Sequence, residues 1–147
     1  ALDADGDTIV VYGTGLNSPY PSENAPLFEE IVESGGLLVS ERPVDAGPDR
    51  HGFLQRNQTN AALGDAVVIP AAAQSSGTMS QFEDARAQDR PVFVPDQALE
   101  FTPTDGIATM RESEEVTSVS EASDVRTELD ELAEKRNKNQ QASLDDW

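Results

Sequence analysis

The sequence contains no cysteine and a single histidine, His51. The absence of cysteine excludes disulfides and thiolate metal sites, and one histidine leaves no pair for an imidazole metal centre. No apolar run approaches the roughly 18 residues that a membrane-spanning helix needs, and the first residues do not resemble a signal peptide. We therefore expect a cytoplasmic protein without a membrane segment, and we assign no catalytic residue, metal or cofactor.

Lysine is nearly absent, since the two lysines are Lys135 and Lys138, and all other basic residues are arginines. Acidic residues number 28 against 10 basic ones, which gives a net charge of −18. Dispersed acid with so little lysine is typical of halophilic, haloarchaeal-type proteins. At about 1 M salt, the repulsion between acidic side chains extends only about 3 Å, and the acidic residues maintain solubility. Such a charge repels nucleic acid, so a nucleic-acid role requires a local arginine patch.

Apolar, β-branched runs alternate with helical patterns over the first two thirds of the chain. Strands are predicted at residues 8–12, 37–40, 66–70 and 91–95. Helices are predicted between them, near residues 24–34, 54–63 and 78–88. This alternation predicts an α/β fold, a Rossmann-like three-layer domain with a mostly parallel sheet over residues 1–100.

The pattern weakens beyond residue 100. Residues 101–134 are predicted to form a C-terminal extension, with a short edge strand from Val116 to Val119 and a helix from Ser123 to Ala133. Residues 135–147 are polar, and we predict a disordered tail there.

Two small-residue turns follow predicted strands, where α/β domains bind ligands. Gly13 and Gly15 allow the backbone to approach a phosphate closely, although the same glycines suit a plain tight turn. Ser76, Gly77 and Thr78 open a predicted helix, so their N–H groups and the helix dipole suit a phosphate. The hydroxyls of this second turn would also serve as simple helix caps.

A basic and aromatic group lies near the start of the second predicted helix. Phe53, if exposed, can stack a nucleobase, which is worth about 1–3 kcal/mol, and Arg50 and Arg56 can pair with phosphates. Structural alternatives stay open, since Phe53 would also serve as a hydrophobic staple. Arg56 would equally suit an ion pair with Glu41 or Asp65.

Four motifs occur in a characteristic order. The chain reads TIVVYGTGLN at residues 8–17, GGLLVSERP at 35–43, FLQRNQTNAALGDAVVI at 53–69 and RPVFVPD at 90–96. Tyr20-Pro21 follows the first motif, and Ser76-Gly77-Thr78 precedes the last. In this order and spacing, residues 6–96 resemble the later part of the Rossmann-like domain of the DNA-processing protein A family (DprA, also called Smf).

The resemblance implies a single-stranded DNA-binding, non-catalytic accessory protein of recombination and DNA uptake (transformation). It also implies a RecA-family recombinase as partner, which the protein loads, and a homodimer. By position, Phe53 matches the family's base-stacking phenylalanine, and Arg50 lies at a basic position just before it. Arg56 and Asn57 match the first two residues of the family's Arg-Asn-Arg motif.

The chain departs from the family pattern in two respects. Leu54 replaces a proline and Gln58 replaces the second arginine of the motif, which weakens phosphate contact. The family's first strand and its glycine-serine-arginine phosphate loop have no counterpart. The resemblance therefore implies a domain without the family's first strands, for which a complementing N-terminal half is a possible partner.

Two other function classes stay open at this point. The chain also resembles the LOG-type nucleotide phosphoribohydrolases, through Pro70 and Gly77-Thr78, with Glu83 at a different spacing from that family's glutamate. This implies a nucleotide-binding or nucleotide-hydrolysing enzyme. The other class is a structural or nucleotide-sensing subunit.

Overall fold

Short strands and helices alternate along the chain in the computed structural model. The structure describes residue 2, residues 6–97 and residues 104–145, with side chains as far as residue 135. In chain order the elements are β1 (Ile9–Tyr12), a 3-10 helix (Ser22–Asn24), α1 (Ala25–Glu33), β2 (Leu37–Ser40), α2 (Arg50–Leu63), β3 (Val67–Val68), α3 (Gly77–Ala87), β4 (Val92–Pro95), α4 (Asp105–Met110), β5 (Val116–Val119) and α5 (Ala122–Asp145). They form two compact units, Ala1–Leu63 and Gly64–Trp147.

The first unit is built on the parallel pair β1 and β2, in which Tyr12 lies opposite Ser40. α1 connects the two strands, as a parallel pair requires. Its Ile31 is buried, and the ring of Phe28 lies 4.9 Å from that of Tyr12, centroid to centroid. Gly35 follows the end of the helix, and its φ of 90°, which suits a residue without a side chain, turns the backbone towards β2.

The second unit contains a parallel sheet in the order β3-β4-β5. Val92 of β4 lies opposite Val67 on one side and Val116 on the other. Because β4 is central and apolar on both faces, Val92, Phe93 and Val94 are at most 1% exposed. This strand is the core of the second unit.

The parallel strand pairings and interspersed helices confirm the predicted α/β class. The limits of β2 and β5 coincide with those predicted, and β5 is an edge strand as expected. The described strands form a two-stranded and a three-stranded sheet, whereas the sequence predicted one. α4 was not predicted, because six residues are too few to show a helical period.

The start of α2 differs from the prediction, which placed it near Leu54. The helix begins at Arg50, because the carboxylate of Asp49 accepts the Gly52 N–H at 2.7 Å and caps the first turn. Phe53 therefore lies on the helix and not in the preceding loop.

α5 also differs from the prediction, since its backbone is helical as far as Asp145. The predicted end at Ala133 and the disordered tail from residue 135 are corrected accordingly. The reason is that residues 122–145 contain neither glycine nor proline and are rich in helix-forming Glu, Lys, Gln and Ala. Residues 146 and 147 lie outside the described part. None of the described helices has the length and apolar character needed to cross a bilayer.

Candidate functional site

The turn after β1 is joined to the loop after β2 by backbone hydrogen bonds. The Gly15 N–H donates to the Ala46 carbonyl at 2.8 Å, and the Asn17 N–H donates to the Val44 carbonyl at 2.9 Å. Gly13 and Gly15 are both buried, and a side chain at Gly15 would overlap the backbone of Val44. Gly15 thus packs between two loops, and the phosphate site at these two glycines stays a prediction.

Asp49 fixes the first turn of α2. One carboxylate oxygen accepts the Gly52 N–H, and the other pairs with Arg42. Gly52 lies so close to the Gly13 carbonyl that a side chain there would overlap it. The hydrogen bond from Gly52, with the nearby charges of Arg42 and His51, holds the pKa of Asp49 below its ordinary value.

Stability should depend on pH through Asp49. A carboxylate whose folded pKa is depressed contributes stability that is present above its unfolded pKa and lost as pH falls through the folded pKa. Asparagine keeps the capping oxygen but does not titrate. As the pH falls from about 5 to about 2, the free energy of unfolding of Asp49→Asn should therefore decrease less than that of the wild type. Urea unfolding at several pH values measures both proteins, and parallel losses would contradict the prediction.

Phe53 is half-buried among three neighbours. Its ring centroid lies 5.4 Å from that of Tyr20, with an interplanar angle of 42°. The guanidinium carbon of Arg56 lies 5.6 Å from the Phe53 centroid, within cation–π range. The edge of the Phe53 ring packs on Gly13, where an added Cβ would lie 2.5 Å from Cδ1. Tyr20, Phe53 and Arg56 are called the aromatic–arginine cluster below.

Arg56 is held in place by its neighbour in the sequence. Its Nη2 donates to Oδ1 of Asn57 at 3.1 Å, and Asn57 is only 3% exposed. Burial lowers the pKa of Arg56, although a guanidinium remains charged in proteins. Glu41, one of the proposed ion-pair partners, instead accepts hydrogen bonds from Gln55 and Thr59. Asn57 thus lies inward and orients Arg56.

Arg50 completes a face of α2. Arg50, Phe53 and Arg56 follow one another at intervals of three residues, which places them on neighbouring turns of one side. Arg50 is exposed, whereas Arg42 is paired with Asp49. Between residues 6 and 63 these three arginines are the only Lys or Arg side chains. Arg50 and Arg56 are therefore the cations of this unit that a phosphate can reach.

The turn at Ser76, Gly77 and Thr78 lies in the second unit and opens α3. Ser76 is the N-cap residue, but its hydroxyl donates to the Ala73 carbonyl at 2.7 Å and does not cap the helix. Gly77 is exposed, with open space where a side chain would project. This turn and the α2 face belong to different units, so each stands as a separate candidate. A phosphate site at Ser76, Gly77 and Thr78 stays a prediction.

Glu83, which was compared with the glutamate of the phosphoribohydrolases, lies in a network of surface charges. It pairs with Arg86 at 3.2 Å, and Arg86 also pairs with Glu115. The hydrogen bond and charge of Glu115, followed by those of Glu83, raise the pKa of Arg86. Across residues 6–97 and 104–135, no three side chains of the metal-ligating types are grouped to hold an ion.

Sequence reasoning missed two residues of the site, Tyr20 and Asp49. Asp49 carried a signal, because aspartate is a favoured N-cap residue and Asp49 directly precedes the helix. Tyr20 carried a weaker one, since it lies between Pro19 and Pro21 and far from α2 in the sequence. Its approach to Phe53 depends on the tertiary fold.

The chain is similar in sequence to proteins of one family. The family model for DNA recombination-mediator protein A matches residues 1–130. Protein Smf of Escherichia coli K12 is 39% identical over 93 residues, which cover 63% of this chain and 25% of that protein. DNA processing protein DprA of Streptococcus pneumoniae is 34% identical over 101 residues, which cover 68% of this chain and 36% of that protein. The chain thus spans about a quarter to a third of the length of these relatives.

Solved structures agree with the sequence comparison. DNA processing protein A of Helicobacter pylori, studied for its single-stranded DNA binding mode, has 30% identity and a TM-score of 0.72. The match covers 87% of this chain and 57% of that one. Streptococcus pneumoniae DprA has 29% identity and a TM-score of 0.69, over 82% of this chain and 42% of that one. The Rossmann-like fold class is thereby confirmed.

Proposed function

The chain belongs to the DNA recombination-mediator protein A family, and we propose that it binds single-stranded DNA as a non-catalytic accessory protein of recombination. The observation that carries this proposal is the α2 face, where the Arg56 guanidinium lies over the Phe53 ring and Arg50 lies one turn earlier on the same helix. The similarity to a Helicobacter pylori protein studied for its single-stranded DNA binding supports it.

The α2 face offers the two kinds of contact that a single strand requires. An aromatic surface stacks any base, because every base has a π face. Arg50 and Arg56 supply guanidinium groups, which pair with phosphate oxygens in bidentate geometry. In a duplex the bases are already stacked on one another, so the aromatic contact is lost. A preference for single strands follows.

The average charge of the protein opposes this interaction. A net charge of −18 repels a polyanion at long range. Salt at about 1 M reduces the range of that repulsion to about 3 Å, whereas guanidinium–phosphate contacts act at shorter distance. We therefore propose that the protein is halophilic and binds DNA at high salt, where repulsion is screened and contacts to the α2 face remain.

Arg50→Gln should weaken the salt dependence of binding. Each neutralised phosphate adds about −0.7 to the slope of log K against log salt for single strands. Loss of one contact should therefore make the slope less negative by about 0.7. Fluorescence anisotropy with labelled oligo-dT, titrated from about 0.3 M to about 2 M KCl, measures the slope.

Arg126→Gln is the matched control for this experiment. Arg126 is exposed on α5 in the second unit, and its replacement changes the net charge by the same amount. The slope should stay at the wild-type value. If the two variants behave alike, the effect is one of total charge and Arg50 is not a phosphate contact. A wild-type protein that binds no oligo-dT at any salt concentration overturns the proposed function.

Partners and setting are proposed from family membership. The description of the family as a recombination mediator supports a RecA-family recombinase as the protein partner. The names of the relatives, DNA processing proteins, support a role in DNA processing, and we propose DNA uptake as its setting. A homodimer and a cytoplasmic location complete this proposal.

A further inference from the structure

Tyr20 is the exposed aromatic side chain of the first unit. It is 55% exposed, whereas Phe28 and Phe53 are half-buried and Tyr12 is buried. Throughout the described residues, no other aromatic side chain is exposed to this degree. Because its ring lies 5.4 Å from that of Phe53, it is the outermost member of the aromatic–arginine cluster.

Phe53 is partly covered by its neighbours. Gly13 packs on the edge of the Phe53 ring, Arg56 lies over the ring, and the Tyr20 ring packs against it in a tilted arrangement. A nucleobase that approaches this cluster from solvent therefore meets Tyr20 first. We infer that Tyr20 is a base-stacking residue of the site and that Phe53 supports its ring from behind. This inference rests on the proposed function and names a contact within it.

The backbone around Tyr20 is restrained before any ligand arrives. Proline follows Ser18 and also Tyr20, which limits both residues to extended conformations. The Ser18 N–H donates to the Gly15 carbonyl at 2.9 Å, and the Thr14 hydroxyl donates to the Ser18 carbonyl at 2.7 Å. Because the Tyr20 ring also packs against Phe53, it loses less conformational freedom when a base stacks on it than an unsupported ring would. The ligand class is an unpaired nucleobase in a single strand of any sequence.

The test compares two oligonucleotides of equal length, oligo-dT and an abasic strand with the same phosphates. Tyr20→Ala should weaken oligo-dT binding about 5-fold to about 100-fold and leave abasic binding within about 2-fold of wild type, because the phosphate contacts remain. Tyr20→Phe should keep the preference for oligo-dT. Leu27→Ala, at a 45% exposed apolar residue on α1, is the control and should match wild type.

Three results would overturn the inference. If Tyr20→Ala binds oligo-dT as tightly as wild type while Phe53→Ala does not, Tyr20 is no contact, and the proposed function stands. If Tyr20→Ala loses oligo-dT and abasic binding equally, the ring maintains the shape of the site and does not stack. If the wild type binds neither strand, the inference and the proposed function fail together.

A direct readout is available because the sequence has one tryptophan, Trp147. In a Trp147→Phe background, Tyr20→Trp makes residue 20 the sole tryptophan. Stacking should quench its fluorescence when oligo-dT is added, and the abasic strand should leave the emission unchanged. Equal quenching by both strands would contradict a stacked base.

Discussion

Phe53→Ala is expected to weaken oligo-dT binding about 5-fold to about 100-fold, which equals about 1–3 kcal/mol. The ring of Phe53 contacts both Tyr20 and Arg56, so its removal takes away the support of the aromatic surface and of one guanidinium. Both side chains then sample other rotamers, and the strand must order them again on binding. Fluorescence anisotropy at constant KCl gives the ratio of dissociation constants.

Two variants control this experiment. Phe53→Leu keeps an apolar side chain against Gly13 but has no π face, so it should bind DNA nearly as poorly as Phe53→Ala while staying more stable. Leu63→Ala removes a 57% exposed apolar side chain from the other end of α2 and should bind like wild type. Wild-type affinity in Phe53→Leu would show that the site needs apolar packing at position 53 and not an aromatic ring there.

Gly52→Ala should destabilise the first unit by about 1–3 kcal/mol, a typical cost of overpacking. In a helix, replacement of glycine by alanine ordinarily stabilises by up to about 1 kcal/mol. The sign reverses here because a methyl group at position 52 would overlap the carbonyl oxygen of Gly13. Either α2 or the end of β1 must move to admit it. Chemical denaturation followed by circular dichroism measures the change.

Gly47→Ala is the matched control for Gly52→Ala. Gly47 lies in the loop before α2, and a side chain there would meet no atom within 4 Å. The free energy of unfolding of the Gly47→Ala protein should stay within about 0.5 kcal/mol of wild type. A Gly52→Ala protein as stable as Gly47→Ala would show that the approach of α2 to β1 is looser than described.

The strands were the most predictable part of the fold. β2 and β5 occupy the predicted residues because a run of β-branched and apolar side chains indicates a strand locally. The predicted start of α2 was wrong because the true start depends on a carboxylate cap and on a contact with Gly13, which follows β1 and is distant in the sequence. The length of α5 was underestimated because helix propensity without an apolar stripe was interpreted as disorder.

The candidate site was predictable in its residue types but not in its geometry. Nearness in the sequence placed Arg50, Phe53 and Arg56 around the start of the second predicted helix, and in the structure all three lie on α2. That Asn57 lies inward and that Tyr20 joins Phe53 could not be predicted, because both depend on how α2 packs on the turn after β1. Sequence periodicity carries no information on such distant contacts.

The first turn of a helix normally frays, because its N–H groups lack partners within the helix. In α2 this turn is capped by Asp49, and Gly52 is pressed against the carbonyl of Gly13 at the end of β1. Local opening there would break the cap and expose the end of the strand at the same time. The residues that face the proposed ligand therefore share the cooperative unfolding of the sheet and not the independent fraying of a helix end.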